Sequence, residues 1–452
     1  MRFKVSIPIL CLLIAGGIYF YYRKAHSVPA ASFPRAAIQP VNGPRTYIIG
    51  LDGASWNLID PLMKKGKLPN LKKLIDNGVR ANLKSDYPAH SAFLWTTIAT
   101  GKTKEKHGIG DFTVKGDEDQ LLTGNVRRVK AFWNMLSEKD VNVSVVNWWV
   151  TFPPEKVNGV MISDHYRLGN YRKRQMVVTY PALLQKDLPL PILGKARFQL
   201  DSKPYGLPEL KDVTGDGQVT GFDKLLKSYP DYWCQDAYVR EASKYVLQHY
   251  DSQVFAVVLR ITDVSSHFFW CFLPPDVIEE ARKKEAAGTL TLEDIARLDE
   301  QFSEIVGPVY SYADSIVGDI VKAAPPGSTF ILVSDHGFAY YHGSWSHTTQ
   351  PVPPDGILIL SGGPYRKAAQ ITGASIYDVT PTLLYQLHLP VADDFDGHVL
   401  RSAFTDEFAG ANQIVRIPTW ETPGVKRGGE KPIATPDDEQ IKEDLRALGY
   451  IQ

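Results

Sequence analysis

The chain has little cysteine, no excess of either charge and no internal repeat. Three cysteines among 452 residues are too few for a disulfide scaffold or a zinc ribbon. Cys11 lies in an apolar leader, after Ile9-Leu10 and without the small residue a lipidation box prefers. Cys234 and Cys271 are free to pair outside the cytoplasm, but spacing alone does not bring them within bonding distance. Lys+Arg and Asp+Glu number 50 each. With no basic stripe either, the chain has no electrostatic footprint for nucleic acid.

Hydrophobic residues make up 44% of the chain, enough for a full core. Its length suits one large α/β domain with insertions, or two smaller domains. Arg2 and Lys4 precede an apolar run from Val5 to Tyr22, and Arg23 and Lys24 follow it. A run of about 18 residues sits between a signal peptide and a spanning helix. Val28-Pro29-Ala30 offers small residues for cleavage, whereas the charged pair before it favours an uncleaved anchor. Residues 1–24 are therefore expected to be a membrane anchor or signal, and to place the body outside the cytoplasm on the periplasmic side. Residues 25–45 read as a linker, 46–408 as the folded domain, and 409–452 as a polar tail ending in an amphipathic helix, Asp438 to Leu448.

Thr46 to Leu51 is a buried-strand pattern that ends in Asp52-Gly53. Phe255 to Ile261 is a second, ending at Asp263. Thr329 to Ser334 is a third, ending at Asp335-His336-Gly337, and Gly356 to Leu360 is a fourth. Helical spacing runs from Trp56 to Ile75, interrupted at Leu68-Pro69. Alternating strands and helices predict a doubly wound, mostly parallel α/β sheet covered on both faces. Residues 171–251 read as a helical insertion, and Pro275 to Lys322 as a second helical stretch; either could cap the site.

Polar residues just past strand ends are where such sheets bind ligands. Asp52, Asp263 and Asp335 stand there, with His267, His336 and His347 nearby in sequence. Carboxylate oxygen and imidazole nitrogen together suit divalent ions such as zinc. Asp263 and His267 are four apart, which on a helix puts them on one face. Ser91 follows a Pro-bearing turn and opens a helical segment, where the helix terminus stabilises an alkoxide and a phosphoryl group. Thr96 and Thr97 are rival hydroxyls, expected to pack at mid-helix.

Ile49-Gly50-Leu51-Asp52-Gly53, Ser91 to Gly101, His107-Gly108-Ile109 and Ser334-Asp335-His336-Gly337 together resemble the alkaline phosphatase superfamily. The branch they resemble most is the type I phosphodiesterase/nucleotide pyrophosphatase family, joined by Arg260 to Trp270, Gly356 to Gly363 and Tyr377 to Leu384. The resemblance implies one metal site of Asp52, Ser91, Asp335 and His336, and another of Asp263, His267 and His347. His342 competes with His347, because the gap to Gly356 is longer than the family's. Ser91 is then the nucleophile of a phosphate-ester hydrolase with two divalent ions, expected to be zinc. A head-group phosphotransferase and an inactive metal-stabilised binding protein are the alternatives. Asp111 stands where nucleotide pyrophosphatases commonly carry an asparagine, which makes it a substrate-binding candidate and puts nucleotide substrates in question. Ser91 to Trp95 lacks the Pro and Arg of a formylglycine sulfatase. The ending Leu445 to Tyr450 is similar to that of related phosphatase- and sulfatase-like chains.

A separate run from Asp212 to Asp223 fits a calcium loop, with oxygen ligands at Asp212, Thr214, Asp216, Thr220 and Asp223 and Gln218 offering its carbonyl. Oligomeric state is not legible in the sequence.

Overall fold

A computed structural model describes residues 44–451 apart from 115–116, 170, 190–194, 208–220, 349–351 and 430. The leader therefore lies outside the described residues. So does the calcium loop: backbone description resumes at Gly221, and no side chain between 208 and 227 is described. Among the described residues, no helix is long and apolar enough to cross a membrane.

The first strand, β1 (Thr46–Leu51), is buried along its whole length, as a continuous apolar run requires when both sheet faces are covered. The helical pattern after it splits into α1 (Trp56–Lys64) and α2 (Pro69–Asp76), with Pro69 in the first turn of α2. Proline fits there because its missing N–H would be unpaired anyway. β2 (Gly78–Leu83) and the fully buried α3 (Ser91–Thr100) follow. Next come β3 (Val143–Val146), β4 (Gly159–Ile162), β5 (Thr179–Tyr180) and the long α4 (Gly221–His249). β6 (Val254–Leu259) leads into α5 (Ile261–Phe269), then α6 (Pro275–Ala286) and α7 (Leu292–Ala323). β7 (Thr329–Val333) precedes a hairpin of β8 (Ala339–Tyr341) and β9 (Ser344–Ser346). β10 (Gly356–Ser361), β11 (Ala369–Gln370), α8 (Val379–Gln386) and α9 (Asp438–Ala447) complete the elements used below.

The main sheet has the order β11-β2-β10-β7-β1-β6-β3-β4-β5. The five strands β7, β1, β6, β3 and β4 run parallel. The fold class is thus the expected one, with edges of mixed direction. β10, read from sequence as one more strand of the parallel set, lies antiparallel to both β7 and β2. β7, β1 and β6 are immediate neighbours, with Gly50 paired to Val333 and Leu51 to Leu259. Their three carboxyl ends therefore open at one place.

The long α4 contributes a support. Arg260 at the N-cap of α5 has no side-chain cap of its own. Asp236 on α4 accepts from the backbone N–H groups of Arg260 and Ile261, at 2.9 and 2.8 Å, satisfying donors that a bare helix start leaves open. Cys234 and Cys271 form no disulfide. The C-terminal segment, expected to be a tail, folds back onto α4 through α9.

Candidate metal centre

Asp52, Asp263 and Asp335 meet where three adjacent strands end, and all are buried. Gly53 makes the meeting close enough. Its φ of +67° is left-handed, and a Cβ there would come within 2.8 Å of Phe338 and 3.0 Å of the Cα of Asp263. Only glycine fits that turn without strain.

α5 presents Asp263 and His267 on one face, as their spacing predicts. The His267 Nε2 lies 3.5 Å from the Asp263 Oδ1. His347 follows β9, and its Nε2 lies 3.0 Å from that of His267 and 3.5 Å from the Asp263 Oδ1. His342 occupies the hairpin turn instead, with φ +48° next to Gly343 at +77°. It is exposed and pairs with Glu285 at 3.1 Å. The hairpin lengthens the gap before β10 and returns His347, not His342, to the cluster.

The His336 Nε2 lies 3.6 Å from the Asp52 Oδ1, 3.6 Å from the Asp335 Oδ2 and 3.8 Å from the Asp263 Oδ1. Two donor sets compatible with a metal ion result: Asp263, His267 and His347, and Asp52, Asp263 and His336. Asp263 stands between them, where the family resemblance assigns it to one set alone. Asp335 adjoins the second set through His336.

Ser91 is the first residue of α3 and is buried. Its hydroxyl donates to the Asp52 Oδ1 at 3.2 Å. The rival hydroxyls point elsewhere: Thr96 donates to the Ala92 carbonyl at 2.7 Å, and Thr97 contacts the His107 Nε2 at 3.1 Å. Asp111 joins neither donor set. Its Oδ1 lies 2.8 Å from the Nδ1 of His90, the residue before Ser91.

The cluster gathers buried groups of the kind a cation satisfies. Burial first, and then the charge of Asp263, push the Asp52 carboxyl up to about 7. Burial and then Asp52 push Asp335 well above the ordinary range. Asp263 is held low: burial opposes this, and the neighbouring His267 outweighs it. Burial keeps His336 and His347 neutral, with His336 pushed down to about 4. The His347 Nδ1–H donates to the Ala89 carbonyl at 2.8 Å, and the His336 Nδ1–H to the Gly337 carbonyl at 3.1 Å. Both rings therefore turn an Nε2 lone pair into the cluster. The His336 Nε2 and the Asp335 Oδ2 are buried without any hydrogen-bond partner. Buried acceptors facing one another unpaired are costly, and a divalent cation satisfies them. The donor set of carboxylates and neutral imidazoles fits such an ion.

Sequence reasoning missed three contributors. The Trp149 Nε1–H donates to the Asp52 Oδ2 at 2.7 Å. The Arg260 guanidinium stacks 3.9 Å from the Trp149 ring centroid. Tyr450, near the chain's end, brings its hydroxyl 3.1 Å from the His347 Nε2. Trp149 follows the β3 run through Asn147-Trp148, where Asn147 and Val150 take φ of +55° and +57°. A tryptophan pair just past a buried valine strand was the available signal. For Tyr450 it was the Leu-Gly-Tyr ending after an amphipathic helix.

This sheet, with acids and histidines at its adjacent strand ends, is the alkaline-phosphatase-like fold of a phosphoric ester hydrolase, and it carries residues that could hold a metal ion. Residues 46–382 match the family described as type I phosphodiesterase / nucleotide pyrophosphatase, and the chain belongs to that family. Solved structures similar to it include a phosphonate monoester hydrolase from Silicibacter pomeroyi, 12% identical over 88% of this chain and 83% of that one, with a TM-score of 0.44. The phosphonate monoester hydrolase of Agrobacterium radiobacter is 15% identical over 82% and 78%, with a TM-score of 0.45. Murine ectonucleotide pyrophosphatase / phosphodiesterase 5, solved as an inactive variant with AMP, is 9% identical over 77% and 96%, with a TM-score of 0.43. These likenesses are distant, and the family match carries the assignment.

Proposed function

We propose that the protein hydrolyses phosphate esters through Ser91, with two divalent ions, zinc by preference, held by Asp52, Ser91, Asp335 and His336 and by Asp263, His267 and His347. The observation that supports this best is the Ser91 hydroxyl, placed at a helix start and hydrogen-bonded to Asp52 inside the acid and histidine cluster. When bound, the ions supply Lewis acidity to the phosphoryl oxygens and offset the clustered carboxylates.

The chain's own part follows from its geometry. Ser91 releases its proton along the hydrogen bond to Asp52 and attacks phosphorus in line. The α3 N-terminus favours the negative charge that develops. The bond from phosphorus to the ester oxygen breaks as the Ser91 bond forms, and the proton passed to Asp52 goes on to the departing oxygen. Water then attacks the phosphoserine, breaking its P–O bond, returning a proton to Ser91 and releasing the phosphate product. Trp149 fixes the orientation of the Asp52 carboxylate throughout. The His90–Asp111 pair flanks Ser91 and is where substrate shape is sensed.

Ser91→Ala is expected to abolish turnover of a nitrophenyl phosphate ester while retaining bound metal. Undiminished hydrolysis by that variant would sink the assignment. Product analysis with and without alcohol acceptors separates hydrolysis from head-group transfer. The leader supports a location outside the cytoplasm, which protease added to intact cells reads directly.

A further inference from the structure

The chain's last described turn enters the metal centre. α9 is held on the body by Tyr232, whose hydroxyl donates to the Asp444 Oδ1 at 3.0 Å, and by Arg174, paired with Asp437 at 3.0 Å. Leu445 and Leu448 are buried beneath it. The helix ends in a Schellman turn: Gly449 N–H donates to the Arg446 carbonyl at 3.0 Å and Tyr450 N–H to the Leu445 carbonyl at 2.9 Å. Gly449 takes φ +77°, the left-handed conformation this turn needs at that position. The chain reverses there, and Tyr450 swings inward.

Its ring lies among Phe112, His90, His267 and His347, with centroids 4.7, 5.8, 5.5 and 5.5 Å away. Only 6% of the residue remains exposed. The phenol oxygen lies 3.1 Å from the His347 Nε2, 3.3 Å from the Asp263 Oδ2 and 3.4 Å from the Asp263 Oδ1. Four donors arranged tetrahedrally around an ion at zinc bond lengths lie about 3.3 Å apart. Within the Asp263–His267–His347 set, the three donor separations are 3.0, 3.5 and 3.5 Å. The phenol oxygen adds two more edges of matching length, to His347 and to Asp263.

We propose that Tyr450 is the fourth donor of the Asp263–His267–His347 set in the resting protein, and that a phosphoryl oxygen of the substrate displaces it. This rests on the reading of those three residues as metal ligands. The phenol O–H stays directed at the Asp263 Oδ2, leaving an oxygen lone pair for the ion. Substrate entry then swings the ring outward, and product release lets it return.

The test is Tyr450→Phe in the full chain, which keeps the ring and its packing. Zinc stoichiometry and affinity are read by competition with a chromogenic chelator, and coordination by the visible spectrum of the cobalt-substituted protein, with inorganic phosphate as the displacing probe. The wild type is expected to hold two ions. The variant should hold one of them 10–100-fold more weakly and show an altered resting cobalt spectrum. Phosphate at saturation should make the two spectra coincide. Unchanged affinities together with identical resting spectra overturn the inference. A wild type that holds fewer than two ions, or a His347→Ala variant that loses none, overturns the underlying metal assignment instead.

Discussion

Stripping the metal from this protein should make its stability fall as pH rises, and the share that Asp52 contributes can be isolated. Burial and then Asp263 move its carboxyl from 3.8 to about 7 in the folded, metal-free chain. The folded state therefore binds a proton that the unfolded chain has already released. For such a raised acid, stability is retained below the unfolded value and lost as pH climbs toward the folded one. The displacement corresponds to about 4 kcal/mol by pH 8, shrinking below about 1 kcal/mol at pH 4. For a domain of about 400 residues, an unfolding entropy of about 2.1 cal/mol/K per residue converts 4 kcal/mol into about 5 °C of melting temperature. Asp52→Asn is the control, because the amide is a permanently neutral copy of the protonated acid. In chelator, the variant should melt about 5 °C above the wild type at pH 8 and within about 1 °C of it at pH 4. Added zinc should reverse that order, since the amide is the poorer ligand. Scanning calorimetry at both pH values, with chelator and with zinc, reads all of these differences. Equal melting temperatures for the two metal-free proteins at pH 8 would refute the claim that unpaired carboxylate charge strains the empty cluster.

Two further outcomes follow from neighbouring contacts. Trp149→Phe removes the 2.7 Å donor to Asp52 and should weaken the ion held by Asp52 about 10–100-fold, the usual cost of losing such an outer partner. Chelator competition checks this, and equal loss at both sites would count against it. Glu155 accepts from Arg127 at 2.7 Å, Arg427 at 2.9 Å, and Trp133 and Asn134 at 3.0 Å each. Burial pushes this carboxyl up, but Arg127, Trp133, Arg427 and Asn134 outweigh it and lower it from 4.5 to about 2. Its contribution is present above 4.5 and lost as pH falls toward 2. Glu155→Gln should thus cost about 2–3 kcal/mol at neutral pH. In urea titrations the gap to wild type should narrow at pH 3, and a gap independent of pH contradicts the ion pair's role.

Much of the centre was legible because its residues sit where strong local patterns end. Asp52 and Asp335 follow unbroken apolar strands, and Asp263 with His267 has helical spacing. Ser91 stands at a helix start, and the order of these segments carried the family. What spacing could not supply was depth in the third dimension. Nothing local says that the β8–β9 hairpin lengthens the path to β10 while returning His347 to the cluster. Trp149 acts through a ring nitrogen across the sheet, from a segment whose left-handed residues carry no glycine to announce them. The same limit concealed β10's reversed direction, since an apolar run reads alike in either sense. The C-terminal helix was visible as an amphipathic pattern, but its destination depends on Tyr232 and Arg174, more than two hundred residues away in sequence.

Asp263 belongs to both donor sets, with its Oδ1 3.5 Å from His267 and His347 and 3.8 Å from His336. A carboxylate shared in this way would make the loading of two ions a linked equilibrium. One ion would fix the carboxylate's orientation and offset its repulsion with Asp52, while two dications drawing on the same carboxylate would repel each other. Linkage of this kind is reciprocal: whatever one ion adds to the other's affinity, the other returns. Under the proposed two-ion reading, the affinity measured for either ion therefore depends on whether the other is bound.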